Sequence, residues 1–95
     1  MPSVQIDIVR YTDDWQPGFV ECRLTDAAGR DWTFEAKVPI VTDEYLDATS
    51  DYPRPGVIDC IVLSRSADTV RVVIDPMGDS IECEVPASAI VEDPA

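Results

Sequence analysis

No histidine occurs in this chain, and only seven residues are lysine or arginine. Without histidine, a serine or cysteine nucleophile has no imidazole base beside it. Histidine-ligated metal sites are excluded by the same count. The three cysteines are an odd number and a poor disulfide framework. No C-x-x-C pair is present, so a zinc site of the usual spacing is not expected. No glycine-rich phosphate loop occurs. No apolar run approaches the ~20 residues of a membrane helix. The opening segment 1–7 lacks a basic stretch followed by an apolar one, so no signal peptide is expected and a cytoplasmic setting is the default.

What the chain has in excess is acid. Nineteen Asp and Glu give a net charge of −12 over 95 residues. Such a surface repels nucleic-acid phosphates and anionic membranes. It favours a basic protein partner, or else serves solubility alone. Apolar residues make up 45% of the chain, enough for one small globular domain. The expected domain is 1–91, with 92–95 a frayed tail.

Glycine and proline divide the chain into apolar runs, and within these the period is two. Val4, Ile6 and Ile8 alternate with Gln5 and Asp7. Val20, Cys22 and Leu24 share one face of a second run, and Trp32, Phe34, Ala36 and Val38 one face of a third. Val70, Val72 and Ile74 repeat the pattern, as do Ile81, Cys83 and Val85. Six strands are predicted, over 3–11, 18–26, 31–39, 57–66, 69–76 and 80–86. Within the fourth, Val57–Leu63 is apolar on both faces except at Asp59 and Cys60 and reads as the most central strand. Tight turns fall at 27–30, 66–69 and 76–79, and a helical or 3₁₀ turn at 86–90 precedes a last short strand at Ile90–Val91. The expected fold is all-β, a small antiparallel six-stranded barrel, SH3-like or related, with a two-layer β-sandwich as the alternative.

Residues 41–56 break the rhythm as one long acidic connection, in which Thr42 or Asp43 is placed to N-cap a short turn containing Tyr45 and Leu46. This loop carries Asp43, Glu44, Asp47 and Asp51 against Arg54. Residues 77–95 carry Asp79, Glu82, Glu84, Glu92 and Asp93 with no cation. The acid thus concentrates in the loop and around the last long strand. The loop acids do not match a calcium-loop spacing. Each of Cys22, Cys60 and Cys83 lies in phase with apolar neighbours and reads as core. Trp32 is in phase with Phe34 and reads as core as well. Trp15, in the turn before Pro17-Gly18, either caps one end of the barrel or stands exposed as an anchor. Tyr45, Leu46 and Tyr52 either plug that end, or Tyr45 and Tyr52 join Trp15 in an aromatic patch.

The run from Val20 to Phe34 with its Ala27-Ala28-Gly29-Arg30 turn, the strand end Lys37-Val38-Pro39, and the segment Tyr52-Pro53-Arg54-Pro55-Gly56 together resemble a family of short, acidic, uncharacterised bacterial proteins. The resemblance covers about half the chain and implies a bacterial cytoplasmic setting. It carries no activity or site residues with it.

The expected function is a non-catalytic interaction module for a basic protein partner, in the manner of an immunity protein or inhibitor. Its candidate binding residues are Trp15, Asp43, Glu44, Tyr45, Asp47, Asp51, Tyr52, Glu82 and Glu84, with no cofactor, metal or catalytic residue. A small cationic or aromatic ligand held at one end of the barrel is the alternative, and self-association through the first or last long strand is another. The charge alone generates a prediction. Self-repulsion among the carboxylates is screened by salt, so the melting temperature is expected to be higher in about 0.3 M than in about 0.01 M salt. An unchanged or lower midpoint would show that the acids are dispersed or locally paired.

Overall fold

A computed structural model describes residues 1–92. The described residues form eight strands, one short helix and one 3₁₀ turn. Strands β1 (Ser3–Asp13), β2 (Phe19–Thr25) and β3 (Asp31–Lys37) are followed by helix α1 (Val38–Val41). After the long loop come β4 (Arg54–Asp59), β5 (Ile61–Arg65), β6 (Thr69–Ile74) and β7 (Ile81–Pro86). The 3₁₀ turn Ala87–Ala89 leads into β8 (Ile90–Val91), as the sequence predicts. No helix among the described residues is long and apolar enough to cross a membrane.

All pairing is antiparallel, in two sheets. The first has the order β3-β2-β1-β4, with β8 added to the start of β1, and the second has the order β5-β6-β7. The ladders do not close into the six-stranded barrel expected from the sequence; the all-β class holds, while strand number and closure differ. The reason lies at Cys60. Its N–H donates to the Pro2 carbonyl at 3.0 Å, interrupting the run 57–66 and delivering its two halves to different sheets. The sheets also meet where the Ala27 N–H donates to the Glu84 carbonyl at 2.8 Å.

One apolar cluster lies between the inner faces. Val4, Ile6 and Ile8 of β1 meet Val20, Cys22 and Leu24 of β2, and Val70, Val72, Ile74, Cys83 and Val85 contribute from the second sheet. These are the alternating positions read from the sequence. Charged residues facing outward pair directly across strands: Asp7 lies opposite Arg23, and Arg10 opposite Glu21.

Three local expectations are corrected. The segment 57–66 is not a central strand buried on both faces, because β5 pairs with β6 alone and its Ile61 and Leu63 are exposed. The third strand ends at Lys37 rather than at 39, since Pro39 sits in the first turn of α1, where its missing N–H costs nothing. The helical turn therefore precedes Thr42 instead of containing Tyr45 and Leu46, and Thr42 Oγ1 accepts the Glu44 N–H in a local turn at 3.1 Å.

Helix α1 fixes the start of the loop by resting on β4. A Cβ at Gly56 would stand 2.9 Å from the Val41 carbonyl oxygen and 2.8 Å from Ile8 Cδ1. Only glycine allows this approach. Gly56→Ala is expected to cost roughly 1–3 kcal/mol in urea unfolding, the range of an overpacked core site. Adding Ile8→Val, which removes the crowding Cδ1, should make the double variant cost less than the two single changes summed. Strict additivity would show that Ile8 does not press on this glycine.

Candidate binding site

The site begins with a fault in β1. Ile8 lies opposite Cys22 and Arg10 opposite Glu21, so Val9 is an extra residue in the ladder. A bulge of this kind inverts the inside–outside phase, here until a second shift at Thr12 restores it. Strict alternation would place Tyr11 with the outward residues. Instead it lies opposite the buried Val20 and packs against the core. Its hydroxyl reaches over Gly18, where a Cβ would come within 2.8 Å of it. Gly18 has φ of 96°, and its N–H donates to the Trp15 carbonyl at 2.7 Å, closing the β1–β2 turn.

The long loop is braced from within. Leu46 is buried in the core and anchors its middle. Asp47 Oδ1 accepts the Thr49 N–H at 2.9 Å and the Thr49 hydroxyl at 2.7 Å. The Tyr52 hydroxyl donates to the Asp47 carbonyl at 2.9 Å. Arg54, which opens β4 rather than closing a loop that runs to 56, forms an ion pair with Glu44 at 2.7 Å.

Between this loop and the β1–β2 turn lies a pocket of about 470 Å³. Tyr11, Asp14, Pro17, Tyr45 and Asp47 line it, with Leu46 among the residues at its wall. Tyr45 is 85% exposed. Partial burial raises the Tyr11 phenol above its ordinary value, and the negative charge of Asp14 adds to the effect, followed by Tyr45, Tyr52 and Asp47. Tyr11 therefore stays protonated, as a ring face and a hydroxyl donor. The Thr49 hydroxyl and N–H hold the Asp47 carboxyl below its usual range, so it is a fixed negative charge. Neither Asp14 nor Asp47 has an ion pair among the described residues.

A larger open cleft of about 640 Å³ adjoins the same loop and includes Asp7, Asp43, Glu44 and Val57. Its charge is largely spent within the fold, since Asp7 pairs with Arg23 and Glu44 with Arg54. In the smaller tyrosine pocket, Asp14 and Asp47 form no ion pair among the described residues.

The structure brings together some of the residues singled out in the sequence and separates others. Tyr45 and Asp47 line the pocket, and Tyr52 supports it from behind through its bond to Asp47. Trp15 is 74% exposed, so it does not cap the core; it stands in the turn between the lining residues Asp14 and Gln16. Asp43 and Asp51 are exposed and free of ion pairs among the described residues. Glu82 and Glu84 lie apart, on β7, where both face Arg71 at 3.1 and 3.9 Å. Neither lines the pocket or the cleft. Tyr11, Asp14 and Pro17 were not legible as site residues. The adjacent apolar pair Ile8-Val9, which breaks the alternation, was the available signal of a bulge.

All three cysteines are buried and unpaired. Burial pushes the Cys22 thiol up to about 12 and raises Cys60 and Cys83 in the same direction. Thiolate chemistry is thus suppressed at each. No cluster of metal-ligating side chains is present among the described residues. No family model matches this chain, nor does any curated protein or solved structure. The site is therefore read from its geometry.

A second depressed carboxyl, Asp26, accepts the Trp32 indole N–H at 3.0 Å, while Arg30 stacks on the same ring at 4.1 Å. That indole bond, with the Arg30 N–H, holds Asp26 below the usual carboxylate range. A carboxyl lowered in the folded state contributes stability above its unfolded pKa of about 3.9 and loses it as pH falls through the folded value. Asp26→Asn places an amide N–H₂ against the indole donor. It should melt below the native protein at pH 7, and the gap should narrow as pH falls below about 3.9. A gap independent of pH would show that the ionised carboxylate is not what Asp26 contributes.

Proposed function

We propose that this protein is a non-catalytic recognition module for a basic protein segment. A lysine or arginine side chain enters the pocket between the Tyr11 and Tyr45 rings and meets the carboxylates of Asp14 and Asp47. The observation that carries this reading is the meeting of the exposed Tyr45 and half-buried Tyr11 with two carboxylates that form no ion pair among the described residues. Ring faces attract a cation through their quadrupole, and a fixed carboxylate supplies the counter-charge. Trp15, Asp43 and Asp51 lie on the same loop and turn and extend the surface for flanking residues of the partner. Glu82 and Glu84 are left out of this surface, because Arg71 already answers them. The acidic field of the whole protein would speed encounter and make binding salt-sensitive. An inhibitor or immunity-type role, covering a cationic surface on another protein, is the form that such a module most naturally takes.

The reading is tested with a short arginine- and lysine-rich peptide titrated into the labelled protein and followed by NMR. Shifts should concentrate on 11–18 and 44–52 and weaken with salt. Tyr45→Ala should reduce affinity about 3- to 30-fold, the range of one cation–π contact. Shifts centred on Glu82 and Glu84, or no binding at low salt, would overturn it.

A further inference from the structure

Tyr45 belongs to two pockets. One is the acidic pocket it shares with Tyr11, Asp14 and Asp47. The other, of about 350 Å³, lies beside α1. Pro17, Tyr45 and Leu46 line both and form the wall between them. Beyond that wall the second pocket is completed by Val38 and Pro39 of α1 and by Thr42, Asp43 and Glu44 at the start of the loop. Val38 and Leu46 are buried, so its floor is fixed in the core. Pro17, Pro39 and Tyr45 are exposed and form the walls open to solvent.

The two pockets differ in chemistry. The first offers two carboxylates without ion pairs among the described residues. In the second, Pro17, Val38, Pro39 and Leu46 meet the Tyr45 ring, and Glu44 is already paired with Arg54. Asp43 is exposed, so an apolar occupant need not strip its water. We infer that the second pocket takes an aliphatic side chain of the same partner segment, two residues away from the lysine or arginine held in the tyrosine pocket. The inference rests on the reading of that first pocket as a cation site. The spacing follows from the shared wall. Side chains packed on the two sides of one ring stand about 7–8 Å apart, the sum of two contacts of roughly 3.5–4 Å. In an extended segment, residues i and i+2 point the same way and lie about 6.6–6.8 Å apart, while i+1 points away. A basic residue and a leucine two positions apart therefore fit, and adjacent ones do not. At 85% exposure Tyr45 is the most exposed large apolar side chain among the described residues. A segment that covers both sides of it buries more of the ring than a single cation does.

The test titrates short capped peptides built on Arg-Ser-Leu, Leu-Ser-Arg, Arg-Leu-Ser, Arg-Ser-Lys and Arg-Ser-Ser into the labelled full chain, followed by NMR. Salt of about 0.15 M screens the general attraction of a −12 protein for cations. The better of Arg-Ser-Leu and Leu-Ser-Arg, which reports the direction of the bound segment, should bind about 3- to 10-fold more tightly than Arg-Ser-Ser, the gain from half-burying one leucine. It should add shifts at 38–43 that Arg-Ser-Ser lacks. Arg-Leu-Ser should show no such gain. Pro39→Ser, at an exposed position, should narrow the ratio between leucine and serine peptides while the melt stays cooperative. Equal affinity of the leucine and serine peptides would overturn the inference and leave the cation site standing. So would an equal gain from Arg-Leu-Ser, or tighter binding of Arg-Ser-Lys than of either leucine peptide. Failure of every peptide, Arg-Ser-Ser included, would remove the cation site and this inference with it.

Discussion

The bulge at Val9 is the feature on which the relation between fold and site depends. Among the described residues β1 alone pairs with three strands, β2 and β8 on one side of its length and β4 on the other. Its first half supplies Val4, Ile6 and Ile8 to the core in even phase. One extra residue then changes the phase, so that the second half sends Tyr11 inward, beneath the turn that carries Asp14 and Trp15. The same strand thereby builds the centre of the core and the floor of the pocket. The loop opposite can be long and polar because it needs only Leu46 in the core and the Asp47 turn to hold its shape.

Charge gives the molecule its second organising constraint. Five of the seven cations are placed in ion pairs with the fold's own carboxylates, and a sixth, Arg30, stacks on Trp32. These cations lie across the outer faces of the sheets, where they quieten neighbouring acids. They do not reach Asp14 or Asp47. The uncompensated charge at the pocket is therefore a matter of placement as well as of composition. Each exposed pair contributes little to stability by itself. Their distribution decides which carboxylates are left without an ion pair among the described residues.

Much of this architecture was legible in the residues. The inward sets Val4-Ile6-Ile8, Val20-Cys22-Leu24 and Val70-Val72-Ile74 were visible as a period of two, because burial of one sheet face demands it. The glycine turns, the 3₁₀ turn after Pro86 and the strand Ile90–Val91 followed from backbone chemistry. The closed barrel did not follow, because alternation tells which face a residue takes and not which strand lies beside it. The break at Cys60 was hidden inside a continuous apolar run. That run read as buried on both faces, whereas Ile61 and Leu63 face solvent on an edge strand. Within the site, Tyr45, Asp47 and Tyr52 were found from the loop's composition. Tyr11 was missed because its direction depends on a bulge, a property of two strands in register and not of one.

The placement of the Tyr11 ring is the central claim, and NMR can observe it directly through the ring's nuclear Overhauser contacts. An inward ring predicts contacts to the Gly18 Hα protons and to Val20, with Tyr45 close by across the pocket. Contacts instead to Arg10 and Glu21 on the outer face would mean that β1 keeps its phase through Val9. In that case the pocket, and the recognition built on it, would not exist.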